Sequence, residues 1–328
     1  MTEAESFLTS FLQRSGLAQA DETPVYVPLA GGVSSDIWRA ELRRGPVCVK
    51  RALAKLKVKA DWFAPVERNA YEVAWMQTAN ALQPGIAPTI LAHDADQGVF
   101  AMAYLEPADH PTWKDELHEG RADPAFARTV GAWLKRVHAG TAGDAAVADR
   151  FRTDETFYDI RLEPYLIATG GPHPELLARL TALAETTASH REALVHGDVS
   201  PKNILVDGTQ PVFLDAECAW YGDPAFDLAF CLNHMLLKCL WTPSATDGFL
   251  ACFDALTAGY NPDPEVEARA AALLPALFLA RVDGKSPVEY LTEEADRDRV
   301  RRVAKPLIKQ PTPTLNGVRQ AWEKELRQ

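Results

Sequence analysis

Basic residues are in short supply in this chain: 34 Lys plus Arg stand against 45 Asp plus Glu in 328 residues, a net charge of −11. That balance excludes a general nucleic-acid binder and a protein held to anionic lipid by charge. Cysteine is sparse too. Cys48, Cys218, Cys231, Cys239 and Cys252 are odd in number, scattered and without a C-x-x-C pair. A disulfide framework or zinc site is therefore not expected, and a reducing cytoplasm fits best. Long apolar runs are missing: residues 271–280, the longest such run near the C-terminus, contain Pro275 and fall well short of the roughly 20 residues a bilayer requires. The opening MTEAESFLTSFLQRSGL puts acids ahead of its apolar residues and has no basic n-region or small-residue cleavage site, so an export signal is not expected. Internal repeats and low-complexity tracts are also absent.

What remains is 47% apolar and 24% charged, the mix of a globular protein that buries a real core. The length suggests about two domains. Phe7, Leu8, Phe11 and Leu12 have helical spacing, with Gly16 as a stop. Residues 25–50 read as strands (VYVPL, IWRAEL, PVCVK) broken by turns and by the small-residue stretch AGGVSSD. A helix is expected from about Pro65 to Leu82, and VFAMAYL (99–105) reads as a buried strand. Beyond Pro107 most of residues 123–193 read as helix. ILV (204–206) and VFL (212–214) flank Asp207-Gly208 as a hairpin, and residues 225–240, apolar on nearly every face, read as a buried helix. The plan is α+β: a small β-rich portion, residues 1–104, followed by a larger helical portion, residues 105–328.

The densest chemistry lies in LVHGDVSPKNILVDGTQPVFLDAE (194–217), which places Asp198, Asn203 and Asp215 at the two ends of one tight hairpin. Hard oxygen ligands at this density suit magnesium, which takes one or two carboxylates plus substrate phosphates. A carboxylate just ahead of such a site can accept a proton from an attacking hydroxyl. HGDVSPKNIL, then FLDAE, then YGDPAFDLAF resembles the aminoglycoside phosphotransferase and choline kinase family of small-molecule kinases, over roughly residues 25–240. The resemblance implies the bilobal fold of protein kinases, ATP as phosphoryl donor, Asp198 as catalytic base, and Asn203 and Asp215 as Mg2+ ligands. It also implies that Asp227, one turn into an otherwise apolar helix, braces the catalytic loop.

The same resemblance assigns parts upstream. Lys50 closes the strand PVCVK, with Cys48 on its face and Val47 and Val49 on the other; in the family such a lysine holds the α- and β-phosphates. Its acid partner is expected to be Glu72, with Glu67 as the alternative. Gly31, Gly32, Ser34 and Ser35 stand where a loop covers the phosphates, although the full G-x-G-x-x-G pattern is missing. Ala103, Tyr104 and Leu105 stand where the connection between lobes meets adenine. Asp223 before Pro224 is explained as an N-cap with Pro at N1, and His196 is expected to brace the loop through hydrogen bonds.

Departures from protein kinases bear on the acceptor. Ser200 replaces a phosphate-contacting lysine, and Lys202 either restores that charge or points to solvent. Seven residues separate Asp215 from Asp223, too few for a long activation segment, which disfavours a protein kinase. Glu217, Trp220, His234, Tyr221 and Trp241 are acceptor-site candidates, though aromatics at such spacings are more often core. Arg281, Asp283 and Lys285 draw attention, beside Ser286-Pro287-Val288-Glu289, which reads as a capping box. Residues 281–328 carry 11 Lys plus Arg against 8 Asp plus Glu, a poor surrounding for a polycation. The expectation is phosphorylation of a hydroxyl on a small metabolite: a sugar, amino sugar or amino alcohol. An aminoglycoside-resistance kinase is the alternative, and a catalytically idle nucleotide-binding scaffold is the rival from another class.

Overall fold

The computed structural model describes residues 2–29, 35–53 and 68–328. Gly31, Gly32, Ser34 and Glu67, and the expected start of a helix at Pro65, lie outside the described residues. The chain forms two compact units, Met1–Asp109 and His110–Gln328, where the sequence pattern put the change of character near residue 105.

In the first unit, helix α1 (Glu3–Arg14) starts at a reciprocal cap: Thr2 accepts from the Glu5 amide, and the Glu5 carboxylate accepts from the Thr2 amide. Its apolar stripe, Leu8, Phe11 and Leu12, packs on Ala40, Val47, Val49, Val99 and Ala101. Those residues form one face of an antiparallel sheet of β1 (Val25–Pro28), β2 (Ser35–Glu41), β3 (Val47–Ala52), β4 (Ile90–Asp94) and β5 (Val99–Ala103), in the order β1-β2-β3-β5-β4. Because side chains alternate along a strand, filling this face with Val47 and Val49 sends Cys48 and Lys50 to the other. There α2 (Arg68–Leu82) supplies Glu72. Ser35 is buried at the start of β2, opposite Ala52.

The second unit is mainly helical: α3 (Trp113–His118), α4 (Pro124–Thr141), α5 (Ala145–Arg150), α6 (Asp154–Phe157), a π-helix (Tyr158–Ile167), α7 (Leu177–Ser189), α8 (Pro224–Trp241), α9 (Thr246–Tyr260), α10 (Pro264–Asp283), α11 (Glu294–Lys309) and α12 (Leu315–Leu326). Every residue of α8 from Pro224 to Leu240 is buried, as an all-round apolar helix should be. Asp223 caps it, accepting from the Ala225 amide at 3.0 Å, and also receives Arg269. Helices α4 and α9 cross at backbone contact. A Cβ at Gly131 would lie 2.2 Å from the Leu256 carbonyl oxygen, and one at Gly259 would lie 2.0 Å from that of Arg128. Only glycine permits this approach.

Two short ladders frame the loop of interest. Strand β6 (Ala193–Val195) pairs with β9 (Trp220–Gly222), and β7 (Ile204–Asp207) pairs with β8 (Gln210–Phe213) across the expected turn. Residues 196–203 join β6 to β7. One expectation is corrected: Ser286–Glu289 starts no helix, and the next begins at Glu294. The Ser286 hydroxyl and carbonyl both accept from Arg281 instead of capping a helix. All five cysteines are free and buried. Among the described residues no helix is long and apolar enough to cross a membrane.

Candidate active site

In the first unit, the Lys50 ammonium meets both carboxylate oxygens of Glu72, at 2.9 and 2.8 Å, with both side chains almost fully buried. Cys48 shares that face, and burial pushes its thiol up to about 12, Lys50 opposing and Glu72 adding to the shift. Breaking such a pair on one side leaves a buried charge and costs about 3–5 kcal/mol. Lys50→Met is therefore expected to lower the apparent Tm, and Glu72→Gln on that background to restore most of it. Phosphoryl transfer by the double variant should stay down by roughly a hundredfold or more. Thermal melts alongside ADP-release assays check this; a double variant regaining activity would show the pair to be structural only.

In the second unit, Asp198 sits in the loop between β6 and β7 with almost no exposure. Its Oδ2 accepts from Asn203 Nδ2 at 2.9 Å and faces Arg161 at 3.2 Å and Lys202 at 3.3 Å. Burial alone would raise this carboxyl; Lys202 and Arg161, helped by His196 and Arg281, outweigh it and hold the group well below the usual carboxylate range. Ionised Asp198 can only accept hydrogen bonds, the state in which a carboxylate is able to orient a hydroxyl and take its proton. Lys202 resolves the two readings of its position: its side chain is about half exposed, yet its ammonium ends on Asp198, which raises its pKa.

The loop is held by its backbone. Both oxygens of Asp227, a side chain with no exposure, accept from main-chain amides, His196 N at 2.7 Å and Gly197 N at 2.8 Å. His196 Nδ1 accepts from the Asp198 amide at 3.2 Å, which fixes the tautomer so that Nε2 donates to the Leu214 carbonyl at 3.1 Å. Burial lowers the pKa of this imidazole, so neutral His196 is a strut between the loop and the end of β8. Behind Asp227, His138 Nε2 lies 3.2 Å from Oδ2, and its Nδ1 lies 2.8 Å from the Tyr260 hydroxyl. The α4–α9 crossing sets up that relay.

Asn203 and Asp215 are linked through the Leu214 amide, which donates to the Asn203 carbonyl at 2.8 Å. Asp215 adopts φ +65°, a left-handed conformation that Asp tolerates better than most residues and that recurs at functional sites. Because the Asn203 amide nitrogen serves Asp198, its Oδ1 is the atom turned elsewhere. An amide oxygen and a carboxylate together make a donor set of the kind that magnesium takes.

The other expected residues are placed as follows. Ser200, Lys202 and His234 line one pocket. Trp220 belongs to the core: it is 1% exposed, stacks on Phe157 and donates from Nε1 to Asp154. Glu217 is partly buried on the turn after Asp215, outside that pocket. The Ala103 amide is committed to the Thr89 carbonyl at 2.9 Å, and Leu105 is partly buried just past β5. Sequence reasoning missed Arg161. Besides Asp198, Arg161 donates to the carbonyls of Gly197 and Ile160. The one signal was a basic residue between Ile160 and Leu162 on an apolar stripe.

A buried strand lysine paired with a helix glutamate, and a clamped aspartate loop followed by an Asn and an Asp, define the protein-kinase-like class that the motifs resemble. The model of the phosphotransferase enzyme family (APH) matches residues 25–265, and the chain belongs to that family. A methylthioribose kinase of Yersinia pseudotuberculosis serotype O:3 (strain YPIII) is 28% identical over 224 residues, covering 58% of this chain and 53% of the relative. The chain thus spans about half the length of the curated relatives it matches. A choline/ethanolamine kinase family protein from Mesorhizobium loti superposes with a TM-score of 0.54 at 16% identity, covering 99% of each chain. An amicoumacin kinase solved with AMP-PNP, Ca2+ and Ami gives 0.56 at 14% identity, covering 96% of this chain and 98% of its own. These two likenesses establish the fold.

Proposed function

We propose that this chain is an ATP- and magnesium-dependent kinase that phosphorylates a hydroxyl on a small, sugar-like metabolite. The observation that carries this reading is the Asp198–Asn203 pair on a loop whose backbone Asp227 clamps. Asp198 orients the acceptor hydroxyl; the oxygen forms its bond to the γ-phosphorus as the bond to the ADP oxygen breaks, and Asp198 takes the proton. Lys50, positioned by Glu72, contacts the α- and β-phosphates, and its charge opposes the charge developing on the leaving group. Asn203 and Asp215 would hold magnesium, which supplies charge neutralisation on the phosphates when bound. The kinship to methylthioribose kinases supports a sugar-like acceptor. No nucleic-acid or membrane partner is proposed, and the cytoplasm is the proposed compartment.

A coupled ADP-release screen over sugars, amino sugars, amino alcohols, aminoglycosides and sugar or polyol acids and phosphates, with Asp198→Asn as the blank, tests the reading. Acceptor-dependent ADP that vanishes in the blank is the expected result. No acceptor-dependent ADP from any compound, with nucleotide binding intact, would leave the idle scaffold as the better account.

A further inference from the structure

Beside Asp198 the second unit holds a pocket of about 300 Å³, counting its open mouth, lined among others by Ser200, Lys202, His234, Lys238, Arg281 and Tyr290. Its remaining charged lining is Lys114 and Glu289, which pair with each other. Four basic side chains thus face one carboxylate. Several polar atoms in its wall are buried without a hydrogen-bond partner: Ser200 Oγ, His234 Nε2, Arg281 Nε and the Tyr290 hydroxyl. Groups of this kind cost stability unless something satisfies them. Lys238 is 1% exposed and sits 3.8 Å from the ring centre of Trp241 and 4.1 Å from that of Tyr290.

From this geometry we infer that the acceptor is an anionic alcohol, whose carboxylate or phosphate enters this pocket while its hydroxyl reaches Asp198. The inference rests on the kinase reading and names the substrate class for the same site. Lys202 joins the two ends, since it lines the pocket and its ammonium lies 3.3 Å from Asp198 Oδ2. Ser200 and His234 offer neutral donors, and Lys238 and Arg281 offer charge, the combination that charge-assisted anion binding uses. A quaternary ammonium or polycationic acceptor would find the aromatic faces that could otherwise attract it already covered by Lys238, and would meet like charge from Lys202 and Arg281.

The electrostatics of Lys238 supply a second readout. Burial pushes its ammonium down to about 6; Lys114 and Arg281 push the same way, while Glu289 and Asp115 oppose. His234, whose pKa burial also lowers, precedes it by one helical turn, and Tyr290 stands across from it. An anion restores the charged form, so binding takes up a proton and weakens as pH rises above about 6.

Matched acceptors test the inference: glycerol against glycerate and glycerol 3-phosphate, and glucose against gluconate and glucose 6-phosphate. An anionic member is expected to exceed its neutral partner by at least about tenfold in kcat/KM, a factor that corresponds to about 1.4 kcal/mol. The carboxylate and phosphate arms show which anion is preferred. Lys238→Met should raise KM for that anion about tenfold and leave KM for ATP unchanged. Calorimetry with glycerate and inorganic phosphate, in two buffers of different ionisation enthalpy, tests the pocket without turnover. Proton-coupled binding that Lys238→Met abolishes supports it even if no acceptor is phosphorylated, a result that would sink the kinase reading alone. Neutral or cationic acceptors outperforming their anionic partners would overturn it, as would a Lys238→Met enzyme with an unchanged anion KM.

Discussion

Asp198→Asn is expected to lower kcat by roughly a thousandfold or more, with KM for ATP changed little. The substitution keeps the shape of the side chain, so the loop clamp through Asp227 and the strut through His196 both survive. On the proposed mechanism it removes the acceptor for the hydroxyl proton, together with the negative charge that Arg161 and Lys202 face at 3.2 and 3.3 Å. Steady-state kinetics with the preferred acceptor, beside a thermal melt, make the measurement. A variant that melts within a few degrees of wild type but has lost turnover locates the effect in chemistry. Retention of more than about a tenth of kcat would remove Asp198 from the proton path.

Asp227→Ala is expected to have the larger effect on stability. It leaves the His196 and Gly197 amides and the His138 imidazole without their acceptor in a site closed to water. Each orphaned donor costs about 1–3 kcal/mol, and together about 4 kcal/mol or more. The apparent Tm should fall by about 10 °C, and activity should fall with it because the loop carrying Asp198 loses its anchor. Asp227→Asn separates the two effects. It keeps one acceptor oxygen but turns an NH2 group toward the other amide, so it is expected to fold better than Asp227→Ala and to remain at least about tenfold less active than wild type. Wild-type kinetics in Asp227→Asn would show that the clamp serves folding alone.

The parts of the site that are local in sequence were legible there. Strand alternation put Lys50 opposite Val47 and Val49; the Asp-Gly turn gave the hairpin; Asp223-Pro224 marked the start of α8, where an isolated Asp227 demanded partners. Those partners were not legible. His138 and Tyr260 are 122 residues apart and meet only because two helices cross at glycines. Arg161 enters from a π-helix, whose altered turn breaks the 3.6-residue period that pattern reading assumes. Trp220 has the composition of an acceptor-binding aromatic and the surroundings of a core residue; its indole N–H finds Asp154, a pairing that no spacing rule contains. The basic pocket was half visible, because Arg281 drew attention while Lys238 lay hidden in an apolar run. Its burial follows from α8 being enclosed on every side.

The glycine crossing of α4 and α9 also bears on how this chain can vary. In a mutational scan scored on phosphate transfer, Gly131 and Gly259 should be as intolerant as Asp198, although neither has a side chain to offer a reactant. Any larger residue would wedge the helices apart and pull His138 away from Asp227. Drift in the pocket beside Asp198 can proceed without touching that crossing. That pocket can thus change while the geometry of the Asp198 loop stays inherited from two positions that contribute nothing except room.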